Sequence, residues 1–173
     1  MSRLVRFVGF IFVILLALAC FPRPAAATEE APALVSLPPA IQVESLLRSV
    51  TARMLEKSPT FKRQCDLIGG SGTVVVKVRV VPAPRNSFTR ATSTFRRYTS
   101  GITVVDVEIP AASRVVELLA HEFEHIAEYV EGIDLKSMAR KRPDEAFQLR
   151  DGSFETARAV HAGRAAAQEV DRK

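Results

Sequence analysis

Between residues 113 and 130 apolar side chains recur at helical spacing, and inside that stretch stands His121-Glu122-Phe123-Glu124-His125, an H-E-x-x-H pattern. No other feature constrains the chain as much. Histidines four apart on a helix lie on one face, so both imidazoles can address one ion, while Glu122, one step round, can reach a water on it. The helix divides into stripes: Leu119, Phe123, Ile126 and Val130 for a core, Glu117, Glu124, Glu128 and Glu131 for water, and Leu118, His121, Glu122, His125 and Tyr129 between them. A lone histidine is ordinarily a satisfied surface or core group. Here two of the chain's three histidines flank a glutamate on the stripe that belongs to neither core nor solvent.

Residues 1–27 have the layout of an export signal: Arg3 and Arg6, an apolar run from Phe7 to Ala19, and small residues at Ala25-Ala26-Ala27. The run is short of the ~20 apolar residues that cross a bilayer, so removal of the segment is expected and no stable membrane span remains. Ala17-Leu18-Ala19-Cys20 offers a lipid anchor at Cys20 as the lesser alternative. Residues 28–173 then form a single domain, periplasmic or secreted. Arg3, Arg6 and Arg23 leave with the signal, which lowers the formal charge from +5 to +2, so the high whole-chain pI gives no reason to expect nucleic acid as a partner. The exported form keeps Cys65 as its one cysteine, which excludes an internal disulfide and leaves a buried thiol, the favoured role, a dimer bridge or a ligand.

Along the chain, residues 28–40 read as an extended Ala- and Pro-rich lead-in. Ile41–Lys57 reads as a helix ended by Ser58-Pro59, with Ile41, Leu46, Leu47, Val50 and Leu55 near a helical period. Gly69-Gly70-Ser71-Gly72 is a break. Thr73–Val81 is a strand with Lys77 and Arg79 on a wet face, and 82–90 is a loop. Ala91–Tyr98 and Ile102–Ile109 are strands of a hairpin turned at Thr99-Ser100-Gly101. Ser113 is placed to cap the motif helix and Gly132 to close it. Ile133–Gly152 reads as polar and irregular, with Arg140-Lys141-Arg142-Pro143 a solvated loop, and Ser153–Val170 as an alanine-rich last helix.

A catalytic zinc site needs a third protein ligand and an open position. Glu155 is the leading candidate, placed at the start of the last helix on a face that continues through the small residues Ala159 and Ala162. Asp134 is its rival. A ligand three or six residues after His125 would be Glu128 or Glu131, but the glycine turn such an arrangement needs is missing. The competing role for Glu155 is a favourable charge at a helix N-terminus.

With His121, Glu122 and His125 on one helix and Glu155 presented after it, the chain resembles the zincin metallopeptidases, most nearly the gluzincin branch, over about residues 91–170. The resemblance implies an α+β, zincin-like fold with a small antiparallel or mixed sheet packed on the motif helix and a C-terminal helix. It also implies zinc (Zn2+) on His121, His125 and Glu155, and Glu122 as general base in hydrolysis of a peptide or protein substrate. The sequence departs from that pattern at Ala159, where many gluzincins carry an aspartate that orients a metal histidine, and Asp106 and Asp134 are the replacements considered. Tyr129, Tyr98, Arg158 and His161 are candidates for stabilising the oxyanion, and Arg96, Arg97 and Tyr98 for lining a peptide-binding strand, against the plainer role of a wet strand face. Two other readings compete: a zinc-binding envelope protein with a structural or vestigial site, and a lipid-anchored assembly module with incidental histidines.

Overall fold

A mixed four-stranded sheet, with apolar and polar residues alternating along its central strands, forms from Ile41–Val43 (β1), Val74–Val81 (β2), Thr92–Arg97 (β3) and Thr103–Pro110 (β4), in the order β1-β2-β4-β3. The computed structural model describes residues 36–82, 90–111 and 114–172, within one unit, Leu34–Lys173. The export segment with Cys20, most of the lead-in, most of the 82–90 loop and Ser113 lie outside the described residues. β1, β2 and β4 run parallel, and β3 turns back antiparallel on β4 as the edge strand. Gly101, at φ 85°, makes the hairpin turn that sends β3 into β4.

One face of the sheet is dry and the other wet. Val76 and Val78 of β2 and Val105, Val107 and Ile109 of β4 point inward, while Lys77, Arg79, Asp106 and Glu108 point out, where Arg79 pairs with Glu108 and Arg96 with Asp106. Asp106 is therefore on the face away from the histidines.

Among the described residues there are five α-helices: Arg48–Lys57 (α1), Pro59–Gly70 (α2), Val115–Val130 (α3), Leu135–Lys141 (α4) and Ala157–Asp171 (α5). The motif helix α3 packs between the sheet and α5, and its Phe123 meets Phe61 of α2 at a ring-centroid distance of 5.1 Å. The last helix lies on α3, the neighbour that Ala159 and Ala162 lead one to expect, with lesser contacts to α1 and α2, and it does not join the sheet in the layer that the resemblance implies. The reason is its small-residue stripe of Ala159, Ala162, Gly163 and Ala166, which suits a helix neighbour. A Cβ at Gly163 would stand 2.7 Å from the carbonyl oxygen of Glu117 and 3.3 Å from Cβ of His121, so the two helices touch at the motif's first histidine. The far end of α3 stops at Gly132, φ 74°, where Gly132 N–H donates to Tyr129 O and Ile133 N–H to Glu128 O, each at 3.0 Å.

Several elements differ from the sequence reading. Ile41–Val43 is a strand and not the start of a helix, because Ile41 pairs across to Val76, a partner no local period reveals; Leu46, counted into the helical stripe, is exposed. Ser58-Pro59 ends one helix and also begins the next. Ser58 caps α2 by accepting from Phe61 N–H, Pro59 fills the first position, and Phe61, Gln64, Cys65 and Ile68 form its buried stripe. Ile133–Gly152 is not irregular: Asp134 caps α4, which takes in Arg140 and Lys141, and Ala146–Gln148 (β5) pairs antiparallel with Phe154–Thr156 (β6). Glu124 and Glu128, assigned to water from their spacing, are fully buried where α5 covers α3. Glu124 keeps its charge there because Arg63, Gln64 and Arg158 all donate to its carboxylate. Cys65 is buried, which pushes its thiol pKa up to about 12.

Candidate metal centre

His121 and His125 project from successive turns of α3, with ring centroids 4.9 Å apart and planes at 77°. Glu155 meets them from β6. Its Oε1 lies 3.2 Å from Nε2 of His121 and 3.6 Å from Nε2 of His125, and the three donor atoms all fall within 4.8 Å of one another. This two-nitrogen, one-oxygen group, with Glu155 buried and both histidines half-buried, could hold a metal ion.

The sequence put Glu155 on the first turn of the last helix. It is instead the middle residue of β6, and the helix begins after Thr156, whose hydroxyl caps it by accepting from Ala159 N–H at 3.0 Å. A strand residue and a residue opening a helix occupy nearly the same place at this junction, so the group still forms. Asp134, the rival ligand, turns to Ser137 N–H and caps α4.

Each histidine-facing carboxylate has a fixed partner. Glu128 Oε2 stands 2.9 Å from Nδ1 of His125, and Glu128 Oε1 accepts from the Thr156 hydroxyl at 2.7 Å. An ionised carboxylate only accepts, so Nδ1 carries the proton and directs Nε2 inward. Glu128 thus occupies the role considered for Asp106 and Asp134, both of which are engaged elsewhere. Its position three residues after His125 is a same-face spacing that the sequence contains. Glu131, the other spacing candidate, pairs with Arg158.

Glu122 is buried beside the histidines, and its Oε2 accepts from the Ser93 hydroxyl of β3 at 2.6 Å. Arg90, just before β3, donates from Nη2 to Glu155 Oε2 at 2.9 Å. Burial disfavours the Glu155 charge, but hydrogen bonds from His121 and then His125 outweigh it and hold the carboxyl well below its usual range. Arg90 and Ser93 have no local signal in the sequence, because their contacts span 65 and 29 residues.

The group opens into a cleft of about 560 Å³ whose lining includes Arg90, Ser93, Phe95, Tyr129, Leu149 and Phe154. Phe95 of the edge strand and Tyr129 of α3 meet along it with ring centroids 5.0 Å apart and planes tilted by 45°. Of the four oxyanion candidates, Tyr129 alone lines this cleft, and its hydroxyl is shared with Thr103 at 2.8 Å. Tyr98 and His161 are exposed away from it, and Arg158 is held by Glu124 and Glu131. Arg96 and Arg97 are exposed and do not line the cleft. A second cavity, of about 620 Å³, lies behind Glu128 between α4 and the start of α5 and includes none of the three grouped donors.

Comparison of the chain with protein-family models, with curated proteins and with solved structures finds no match in any of the three.

Proposed function

We propose that this protein is an exported zinc-dependent peptidase of zincin-like architecture, with His121, His125 and Glu155 as zinc ligands and Glu122 as general base. The observation that carries the reading is the spacing of Glu155 Oε1 from the two imidazole nitrogens. Ligand atoms about 2.0–2.1 Å from an ion at tetrahedral angles stand about 3.4 Å apart, and the separations here are 3.2 and 3.6 Å. Two neutral imidazoles and one carboxylate suit zinc among the divalent ions and leave a fourth position for water.

When bound, zinc supplies Lewis-acid activation of water and of a substrate carbonyl. The chain supplies the rest. Glu122, adjacent to His121 and steadied by Ser93, takes the proton of the attacking water and returns it to the leaving amine. β3 is a sheet edge that runs along the cleft, so an extended peptide can pair with its main chain while its side chains meet Phe95 and Tyr129. Such pairing aligns the scissile bond before reaction.

Glu122→Gln tests the assignment. It keeps shape and hydrogen bonding but removes the base, so zinc content stays at one per chain while cleavage of a peptide library falls at least 100-fold. Stoichiometric zinc with no cleavage by the wild type would instead support a structural site, and undiminished cleavage by the variant would remove Glu122 from the mechanism.

A further inference from the structure

A carboxylate ligand can rotate, and so can offer one oxygen or both to an ion. In Glu155 each oxygen is tethered by a different partner. Oε1 accepts from the backbone N–H of Thr156 at 3.0 Å and faces both imidazoles, whereas Oε2 is taken by Arg90 Nη2 at 2.9 Å. The guanidinium is a planar, permanently charged fork, suited to fixing one carboxylate orientation. Resting on the metal reading above, we propose that Arg90 is the positioning residue for Glu155, restricting it to one oxygen and so keeping the fourth coordination position open. Ser93, three residues further on, holds Glu122 in the same manner, so one short segment entering the edge strand sets both acids of the centre.

The sign of the effect separates positioning from plain charge. Taking a positive charge away from the neighbourhood of a cation favours cation binding by itself. If Arg90 acts by orienting Glu155, Arg90→Gln instead weakens metal affinity, by roughly 10–100-fold as for other residues that orient ligands. The experiment loads wild type, Arg90→Gln, Arg90→Lys and Glu155→Ala with Co2+ and records the affinity and the visible absorption of each. Arg97→Gln, which removes a charge from the far end of β3 without touching Glu155, serves as the control. The expected result is a weaker site and a less intense visible band in Arg90→Gln as the second oxygen joins the ion, partial recovery in Arg90→Lys, and no weakening in Arg97→Gln. Arg90 is about half exposed on its side chain, so its loss does not open the core. Equal or tighter binding with an unchanged spectrum in Arg90→Gln would overturn the proposal while leaving the ligand set standing. A wild type that takes up no Co2+, or a spectrum unaltered by Glu155→Ala, would overturn the ligand set itself and this inference with it.

Discussion

Glu128, fully buried, holds Nδ1 of His125 at 2.9 Å with one oxygen and the hydroxyl of Thr156 at 2.7 Å with the other. One carboxylate thereby couples the motif helix to the residue that follows Glu155 and caps α5. A helix-face spacing thus supplies the orienting acid that Ala159 does not.

Glu128→Gln tests that coupling. The amide can present an N–H to Nδ1, which favours the wrong tautomer and turns the Nε2 proton toward the metal position. Metal affinity is expected to fall about 10–100-fold, with the thermal transition of the metal-free protein lowered by less than it would be for Glu128→Ala. Unchanged affinity by competition with a chromophoric chelator would show that His125 needs no such partner.

The metal-free protein should bind ions in a pH-dependent way. Burial opposes the charge on His125, but hydrogen bonds to Glu128 and Glu155 outweigh it and push the pKa up to about 9. A raised pKa means that the imidazolium contributes stability fully present below about pH 6.5 and lost as pH rises through about 9. An ion competes with that proton for Nε2, so its affinity moves the other way, rising about tenfold per pH unit up to about pH 9 and levelling off above. Calorimetry at pH 7 in two buffers of different ionisation enthalpy should find about one proton released per ion. Release of none would take His125 out of the ligand set.

Gly163→Ala sets two effects against each other. Alanine favours a helix interior by about 1 kcal/mol over glycine, but its methyl would stand 2.7 Å from the backbone oxygen of Glu117, an atom that cannot swing aside. Overpacking of this kind costs about 1–3 kcal/mol. Net destabilisation is expected in urea unfolding, together with weaker metal binding as the His121 turn is displaced. A stabilised variant with unaltered binding would mean that α3 and α5 separate without cost.

The sequence makes the motif helix legible because everything that defines it is local: the apolar period, the paired histidines and Gly132. The β3–β4 hairpin is legible for the same reason, from the Thr99-Ser100-Gly101 turn and the alternation of β4, while β3 carries Phe95 as its one large apolar residue. β1 is not, since three residues with a partner more than thirty positions away leave no periodic trace. The α2 stripe of Phe61, Gln64, Cys65 and Ile68 is present in the sequence but hidden by reading Ser58-Pro59 only as a stop. Glu155 is legible from spacing, yet it arrives on a strand, because Phe154–Thr156 pairs with Ala146–Gln148 and the helix starts four residues later than its sequence suggests, at Ala157 behind the Thr156 cap. The buried state of Glu124 and Glu128 depends on Arg63, Gln64, Arg158 and Thr156, contributed by other elements, so an acid that reads as solvated in one helix can be an interior group in the fold.

β5 and β6 have three residues each, too few for a two-stranded ribbon to persist unaided. An ion shared by His121, His125 and Glu155 would crosslink this ribbon to the motif helix and close a loop of some thirty residues. Closure of that length by a covalent bridge contributes on the order of 3 kcal/mol. Among the described residues Cys65 is the one cysteine and is sealed in the core, so an ion held by His121, His125 and Glu155 would be the staple available there in place of a disulfide.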